Sequence, residues 1–342
     1  MALRNSILGT TSVLVTGATG FIGSRLVERL SELNKDPHNH ISTTSLVRHQ
    51  KMSQLQQHES SATLASSIAN SDVSPSHSRI IVGDLTDRAS LKFGDDSVFD
   101  TVFHLAAVTP EATRNRNILR DVNYNGTLNL FDQIRSATRH LVYVSGVSAF
   151  ETDNKEGVIT EESRRSSEID YIKMRLEVEE YLRQNCRDAG IDYTVVHFPE
   201  IVYGNGGSFR RIFLERIKHG SFRIPGSGDY YTNFIHLDDA VNILITVAAI
   251  GEARNESYIA TDSLPDLFKN FVNYIADQFG VKRPGTVPLI LAKAVVGSDI
   301  IKMLTRSAKA TNEKIKKIYD FQYPSYREGI PDIVAKFNSA EQ

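Results

Sequence analysis

A tyrosine and an arginine stand four residues apart, an arrangement that could do acid–base chemistry. Tyr171 and Arg175 stand in a pattern of apolar residues with helical spacing that continues through Leu182. Residues four apart lie on one face of a helix, so the guanidinium is predicted to lie beside the phenol. A neighbouring positive charge lowers the pKa of a phenol and suits it to general acid and base catalysis. Lys173 is only two residues from Tyr171, roughly 200° around the helix, and cannot supply this charge.

Three glycines at three-residue spacing follow the first apolar run. Residues 12–16 predict a strand, and Leu26 and Leu30 continue as a helix. In such a loop the first glycine permits a tight turn, the second a close approach to a pyrophosphate, and the third close packing of helix on strand. Free N–H groups at a helix start bind anions. The predicted dinucleotide contacts are Gly17, Thr19, Gly20, Phe21, Ile22 and Gly23.

Composition excludes several classes of protein. The 342 residues are 41% hydrophobic and suffice for one large or two smaller folding units. A net charge of −2 gives no basic excess for binding nucleic acid. The single cysteine, Cys186, excludes an intrachain disulfide, and no Cys/His cluster predicts a metal site. The first eleven residues lack a secretion pattern, and charges interrupt apolar residues 288–304, so a cytoplasmic protein without a membrane span is expected.

The end of the second predicted strand bears on the choice of cofactor. Residues 41–47 predict this strand, after which an acidic side chain usually meets a free ribose 2′-hydroxyl. Here Arg48 follows the strand and Lys51 stands close behind. A guanidinium suits a 2′-phosphate, so the residues favour NADP(H) over NAD. The alternative is an ordinary solvated arginine.

The order of these segments resembles the extended short-chain dehydrogenase/reductase family, also called the NAD-dependent epimerase/dehydratase family. Residues 16–23 read Thr-Gly-Ala-Thr-Gly-Phe-Ile-Gly, as in that family. The resemblance continues to about Gly329 through Gly-Asp-Leu at 83–85, Asn-x-x-Gly-Thr at 123–127, Pro-x-x-Val-Tyr-Gly at 199–204 and Phe-Ile-His-x-x-Asp at 234–239.

The resemblance implies an α/β fold, a doubly wound parallel sheet of the Rossmann type with a smaller C-terminal substrate-binding region. Residues 1–199 and about 235–262 are expected to form the NADP-binding domain. Residues 200–234 and 263–342 are expected to form the substrate-binding region. Between the second and third strands, residues 49–78 predict one short helix flanked by a loop.

The resemblance also implies further cofactor contacts. Asp84 and Leu85 would lie over the adenine, and Ala106 and Ala107 along the pyrophosphate or ribose. The segment from Pro199 to Val202 would flank the nicotinamide, with Pro199 and Ile201 as contacts. Asn123 would hold the site from behind, with helix capping as its alternative.

Two positions depart from the family pattern of the catalytic site. The family carries lysine four residues after its tyrosine, where this chain has Arg175, which keeps the charge with a different geometry. The family often has two adjacent hydroxyl residues after its fifth strand, where this chain reads Ser145-Gly146. Ser145 is the preferred candidate to steady a carbonyl oxygen, and Ser148 is the alternative.

The substrate side departs as well. Nucleotide-sugar members of the family carry an arginine shortly before Phe-Ile-His, whereas this chain has Tyr-Tyr-Thr at 230–232. Arg210 and Arg211 are alternative diphosphate contacts. Later helical patterns cover residues 267–279, 289–304 and 312–319. The last segment runs from Pro324 to Pro331. The middle pattern predicts either core or an apolar lid over the substrate.

The function expected from these observations is an NADP(H)-dependent oxidoreductase that interconverts a carbonyl and an alcohol on a small, moderately apolar substrate. The proposed catalytic residues are Tyr171, Arg175, Ser145 and Asn123. One alternative is a nucleotide-sugar epimerase or dehydratase with a tightly held cofactor. Another is a non-catalytic NADP-binding protein, because Arg175 and Gly146 depart from the family pattern. The resemblance also implies a homodimer.

Overall fold

A computed structural model describes residues 10–49, 78–94, 96–151 and 157–340 of the chain. The short helix expected between the second and third strands falls on residues outside this part, as does Lys51. Within the described part, no helix is long and apolar enough to cross a membrane.

Seven parallel strands form the central sheet. They are β1 (Thr10–Thr16), β2 (His40–Val47), β3 (Ser78–Val82), β4 (Phe99–His104), β5 (Thr138–Gly146), β6 (Asp192–Phe198) and β7 (Ser257–Ile259). Their order across the sheet is β7-β6-β5-β4-β1-β2-β3. The chain therefore winds outward in both directions from β1, and a crevice forms at the carboxyl ends of β1 and β4.

Helices cover both faces of the sheet because successive side chains of each strand point to opposite faces. Val13 and Val15 pack on the face covered by α1 (Phe21–Leu33) and α7 (Leu237–Ala249). Leu14 packs on the other face, which α3 (Gly126–Ile134) and α4 (Asp170–Ala189) cover. This is the doubly wound α/β fold that the resemblance implies.

A third core lies in the later part of the chain and is rich in aromatic rings. Phe234 stacks on Phe271 with ring centroids 4.3 Å apart, and Tyr326 meets both rings edge-on. The helices around it are α5 (Gly207–Phe209), a π-helical turn (Arg210–Leu214), α6 (Glu215–Lys218), α8 (Phe268–Phe279) and α11 (Tyr326–Ser339). The expected division into two domains remains a prediction.

The remaining elements are short. Two-stranded pairs join Ile201–Tyr203 to Phe234–His236, Ile224–Pro225 to Thr286–Val287, Tyr231–Thr232 to Asp266–Leu267, and Val158–Ile159 to Lys309–Ala310. Single 3₁₀ turns occupy Arg88–Ser90, Val147–Ala149, Gly251–Ala253 and Ile315–Lys317.

Several helical segments differ from the expectations. Asn123, for which helix capping is the alternative role, lies within a helical stretch that begins earlier, as α2 (Arg116–Arg120), and passes through a π-helical turn (Asp121–Asn125) into α3. The predicted helix over 289–304 is two helices, α9 (Leu289–Val296) and α10 (Ser298–Leu304), because Gly297 between them has φ of +115°. The pattern over 312–319 forms only the 3₁₀ turn at Ile315–Lys317.

The last segment of the chain is helical, although a proline normally interrupts a helix. Pro331 lies inside α11 and lacks the N–H that would bond the Arg327 carbonyl. That carbonyl instead accepts a hydrogen bond from the Tyr274 hydroxyl at 3.1 Å. Ser325 and Glu328 form a capping box at the start of the helix. A tertiary partner and a strong cap thus allow a helix through the proline.

Candidate active site

The glycine loop connects β1 to α1, and its glycines lie where a side chain would clash with neighbouring backbone. Gly17 has φ of +70°, and a Cβ there would lie 2.8 Å from the Ala106 nitrogen. A Cβ at Gly23 would lie 2.1 Å from the Gly17 carbonyl oxygen. Gly20 is the N-cap residue of α1 and has no side chain to accept hydrogen bonds from the first N–H groups of the helix. The first amides of α1 are therefore left for an anion, as the spacing predicts.

Phe21 and Ile22 begin α1, and Phe21 has a second contact. Its ring packs beneath the backbone of Gly204, Gly206 and Gly207, and a Cβ at Gly207 would lie 2.7 Å from the ring. The start of α1 is thereby joined to the segment that leaves the sheet after β6.

The predicted adenine side lies at the carboxyl ends of β2 and β3. Arg48 is exposed directly after β2. The Asp84 carboxylate accepts hydrogen bonds from the Thr86 N–H and hydroxyl at 2.9 and 2.7 Å. Leu85 is buried, and a Cβ at Gly126 would lie 2.8 Å from its Cβ. Arg48 and this turn therefore share one edge of the sheet.

Asn123 lies inside the π-helical turn and does not cap a helix. Its side chain pairs with the backbone of Val108, donating to the carbonyl at 2.7 Å and accepting from the N–H at 2.8 Å. Val108 follows Ala106 and Ala107 in the segment that leaves β4. Asn123 thus holds that segment in place, a contact that fits the supporting role implied by the resemblance.

His104 links the glycine loop strand to the same helix. Its ring nitrogens lie 2.7 Å from the Thr16 hydroxyl and 2.8 Å from the Thr127 hydroxyl. Burial, with Arg175 as a second cause, lowers the pKa of His104 to about 4. The ring is therefore a neutral structural bridge near neutral pH. The Ala106 N–H donates to Thr16 at 3.2 Å.

Tyr171 and Arg175 lie side by side in the first turns of α4, as their spacing predicts. The Arg175 guanidinium donates to the Tyr171 hydroxyl at 3.1 Å and to the Val144 carbonyl at 2.6 Å. Its Nε is buried and has no acceptor among the described residues. Burial lowers the pKa of Arg175, but the phenols of Tyr171 and Tyr143 and the Glu179 carboxylate raise it above its ordinary value. Arg175 is therefore a permanent cation that ties the phenol to β5.

The two candidate serines differ in their hydrogen bonds. The Ser145 hydroxyl donates to the buried Glu179 carboxylate, which also contacts His197 at 3.3 Å and Arg165 at 3.1 Å. Burial raises the pKa of Glu179, but His197, Ser145 and Arg165 outweigh it and hold the pKa at about 2. The Ser148 hydroxyl makes no hydrogen bond to another residue in the described ranges, and lies 3.2 Å from where a Gly146 Cβ would be.

Pro199 and Ile201 flank a carboxyl group at the end of β6. Both residues are buried, and Glu200 between them is half-buried. Burial raises the pKa of Glu200, and the Arg306 guanidinium opposes this shift. Arg306 donates to the carbonyls of Ser148 and Phe150 at 3.0 and 2.7 Å and to that of Val147 at 3.2 Å. A cation from the C-terminal region thus fixes the turn that follows β5.

Sequence reasoning missed Glu179, Glu200 and Arg306. Glu179 had a usable signal, because it lies four residues after Arg175 and so on the same helical face. Glu200 adjoins the proposed nicotinamide segment. Arg306 had no signal, because its three acceptors lie more than 150 residues away in the chain. Neither Arg210 nor Arg211 is unpaired: they contact Glu215 and Glu111 at 3.3 and 3.0 Å.

The site therefore combines a glycine loop with an open helix start, a phenol with a fixed cation, and hydroxyl groups at the edge of a parallel sheet. The sequence profile of the NAD dependent epimerase/dehydratase family matches residues 13–259. The chain belongs to this family. It is therefore a member of a family of NAD(P)-dependent enzymes of the epimerase and dehydratase type, within the extended short-chain dehydrogenases/reductases.

Two curated relatives of the chain carry different names. A UDP-glucose 4-epimerase from Vibrio cholerae is 23% identical over 350 aligned positions, covering 96% of each chain. A 3-diazoavenalumate denitrifying reductase from a Streptomyces species is 28% identical over 133 residues, which cover 38% of this chain and 43% of the reductase.

Solved structures show the same fold. A dTDP-glucose 4,6-dehydratase from Streptomyces venezuelae with NAD bound has a TM-score of 0.76 at 19% identity, covering 96% of this chain and 97% of the dehydratase. The expected carbonyl oxidoreductase finds no specific support in the comparisons, and the epimerase or dehydratase alternative fits them better. They support NAD(P) as cofactor without selecting NADP.

Proposed function

We propose that this protein is an NAD(P)-dependent enzyme that removes hydride from a secondary alcohol carbon of a nucleotide-linked sugar and returns hydride to the oxidised sugar, as an epimerase or dehydratase does. The observation that carries the proposal is the Tyr171 phenol held 3.1 Å from the Arg175 guanidinium, at the sheet edge that the glycine loop shares. Full-length similarity to a nucleotide-sugar epimerase supports the substrate class.

The residues present fit a dinucleotide. Side chains at Gly17 or Gly23 would clash with backbone, so the loop keeps a bare approach to the first amides of α1. The buried Arg175 Nε lacks an acceptor in the described ranges, and a ribose hydroxyl would supply one. We assign the pyrophosphate to residues 17–23, the adenine to Asp84 and Leu85, and the nicotinamide to the segment from Pro199 to Ile201. When bound, the nicotinamide supplies the hydride acceptor or donor.

Tyr171 handles the proton of the reaction. As an alcohol is oxidised, its hydroxyl proton passes to the Tyr171 phenolate oxygen, and the same phenol returns a proton in reduction. Arg175 stabilises the phenolate because its charge is permanent and close. A serine hydroxyl, Ser145 or Ser148, donates to the substrate oxygen, and Asn123 holds the segment after β4.

One observation favours a second candidate, an NADP(H)-dependent carbonyl reductase. Residues 230–232 are Tyr-Tyr-Thr, so the diphosphate-binding arginine that the resemblance implies is not at this position. Arg210 and Arg211, the replacements considered from sequence, already contact carboxylates. A less charged substrate would need no such arginine.

Turnover assays separate the two candidates. Purified protein is incubated with UDP- and dTDP-linked sugars, followed by chromatography, and separately with carbonyl compounds while NADPH oxidation is recorded. Conversion of a sugar nucleotide without net consumption of NAD(P)H supports the first proposal, and stoichiometric NADPH oxidation supports the second. Protein that binds a dinucleotide but turns over neither class contradicts both and leaves a non-catalytic binding protein.

Variants of α4 assign the chemistry. We expect Tyr171→Phe and Arg175→Leu each to lower kcat by about 100-fold or more, because each removes part of the acid–base pair. Arg175→Lys restores the family residue and retains more activity than Arg175→Leu. Tyr181→Phe, on the same helix, is the control and stays within about twofold of the wild-type kcat. Equal kcat values for Tyr171→Phe and Tyr181→Phe would remove Tyr171 from the mechanism.

A further inference from the structure

The helix α9 exposes an unusual amount of apolar surface. Nine large hydrophobic side chains are exposed in the described part of the chain, and five of them lie in this eight-residue helix. Ile290 and Val295 are the most exposed, at 81% and 74%. The predicted core role of residues 289–304 is therefore wrong for most of α9, where Ala292 is the only buried residue.

Apolar residues occur all around the helix. At 100° per residue, Ile290 and Ala294 lie about 160° from Ala292, which packs inward, and Leu291 lies about 100° from it. Val295 lies only about 60° from Ala292 and is nonetheless 74% exposed. A soluble surface helix normally presents polar side chains to water, whereas the only charged residue of α9 is Lys293 and the rest of its exposed surface is apolar.

The chain on either side of α9 is rich in cations. Residues 282–309 contain one carboxylate, Asp299, and six cationic side chains: Lys282, Arg283, Lys293, Lys302, Arg306 and Lys309. Arg283 pairs with Asp277, and Arg306 is turned toward the β5 turn. Lys282, Lys293 and Lys302 are exposed and form no ion pair with any carboxylate in the described ranges. The chain as a whole has a net charge of −2, so this positive charge is local.

We propose that α9 and its flanking lysines dock this protein peripherally on an anionic lipid surface. The exposed apolar side chains of α9 enter the interface between headgroups and acyl chains, and adjacent lysines attract anionic headgroups. A second copy of the chain is a poorer occupant. A two-turn helix exposes roughly a few hundred Å² of apolar surface, against the roughly 800 Å² per partner of a stable dimer.

Docking in this way would place the catalytic cleft beside the lipid surface. The Arg114 guanidinium, in the segment that follows β4, donates to the Val295 carbonyl of α9. A few residues beyond α10, Arg306 binds the turn after β5. The docking face therefore adjoins the carboxyl edge of the sheet, where the candidate active site lies.

Vesicle flotation tests the proposal with the full-length protein. We expect it to float with vesicles of phosphatidylcholine and phosphatidylserine, and at least tenfold less with phosphatidylcholine alone or in high salt. Ile290→Glu and Val295→Glu should each lower binding at least tenfold, whereas Val98→Glu, a change at a 51% exposed valine elsewhere, should not. Lys293→Glu combined with Lys302→Glu should also lower binding, with Lys35→Glu as the matched control.

Three results would overturn the proposal. One is wild-type protein that stays unbound with both vesicle types. Another is an equal loss of binding in Ile290→Glu and Val98→Glu, which would make the apolar surface of α9 irrelevant. The third is a dimer on size-exclusion chromatography without lipid that Ile290→Glu dissociates, which would assign this surface to a second copy. Circular dichroism of each variant shows whether it is folded, and the exposure of these side chains predicts that it is.

Discussion

At the scale of single residues, the hydrogen bonds around Ser145 and Ser148 bear on the catalytic hydroxyl. The Ser145 hydrogen is committed to the Glu179 carboxylate, whereas Ser148 has no such commitment among the described residues. A hydroxyl that steadies a substrate oxygen must donate to it. The hydrogen bonding therefore favours Ser148, the alternative that sequence analysis leaves open.

Alanine variants of the two serines distinguish their roles. Ser145→Ala leaves Glu179 without one donor and should lower the free energy of unfolding by about 2 kcal/mol. Ser148→Ala should lower kcat by about 10- to 100-fold and leave the melting temperature within about 2 °C of wild type. Urea unfolding and steady-state kinetics on both variants check this. A kcat loss confined to Ser145→Ala would assign the substrate hydroxyl to Ser145.

Some contacts of the candidate site could be predicted from the sequence and others could not. The contact of Tyr171 with Arg175 follows from spacing on one helix and could be predicted. Glu179 in α4 contacts Ser145 of β5, His197 of β6 and Arg165 in the segment that precedes α4. Such a cluster depends on strand register, which spacing along the chain does not determine.

At the scale of elements, close packing of α1 on β1 depends on Gly23. A Cβ there would lie 2.1 Å from the Gly17 carbonyl oxygen, so the helix would have to move. We expect Gly23→Ala to lower the free energy of unfolding by about 1–3 kcal/mol and dinucleotide affinity by at least tenfold. Melting curves and calorimetry measure the two effects.

Gly251→Ala is the matched control for Gly23→Ala. Its Cβ would meet nothing within 4 Å, and its φ lies outside the left-handed region. We expect this variant to stay within about 0.5 kcal/mol of wild type in stability and to bind dinucleotide normally. If Gly23→Ala behaves like its control, the loop is not closely packed.

Helices and strands were predictable where apolar residues recur with a regular spacing. They were less predictable where tertiary contacts determine the local structure. The strands of the sheet follow apolar runs, and α4 follows its helical period. The helix through Pro331 requires the Tyr274 hydroxyl from α8 to satisfy the freed carbonyl. The exposure of α9 likewise depends on which other elements pack against it, whereas the break at Gly297 follows from the left-handed backbone of that residue.

At the scale of the whole molecule, buried histidines predict how stability varies with pH. Burial lowers the pKa of His104 and of His140 from an ordinary 6.5 to about 4. Between pH 6.5 and 4 the unfolded chain binds protons at these sites that the folded chain does not, so this contribution to stability is complete above pH 6.5 and is lost on acidification. Each histidine contributes up to about 1.4 kcal/mol per pH unit within this window.

Substitution of one of these histidines tests the effect. We expect His140→Gln to reduce the dependence of the unfolding free energy on pH between 6.5 and 4, because one titrating site is lost. The comparison uses urea unfolding of the variant and wild type at several pH values. Parallel curves for the two proteins across this window would show that His140 does not titrate differently on unfolding.

The whole fold was predictable because the family segments occur in order along the chain, although each is weak alone. The activity was less predictable. The missing arginine at 230–232 favours a small carbonyl substrate, whereas the full-length similarity to a UDP-glucose 4-epimerase favours a nucleotide sugar. A substrate pocket is formed by segments far apart in sequence, and one absent residue does not define its chemistry.

The most direct measurement is calorimetric titration of wild type and Arg48→Glu with NADPH and NADH. We expect wild type to bind a dinucleotide and to prefer NADPH, because the exposed Arg48 would be available to pair with a 2′-phosphate. In Arg48→Glu, affinity for NADPH should fall at least tenfold while affinity for NADH is kept. An equal affinity of wild type for both would refute the NADP preference alone. Folded wild-type protein that binds neither dinucleotide would contradict the central claim that this is an NAD(P)-dependent enzyme.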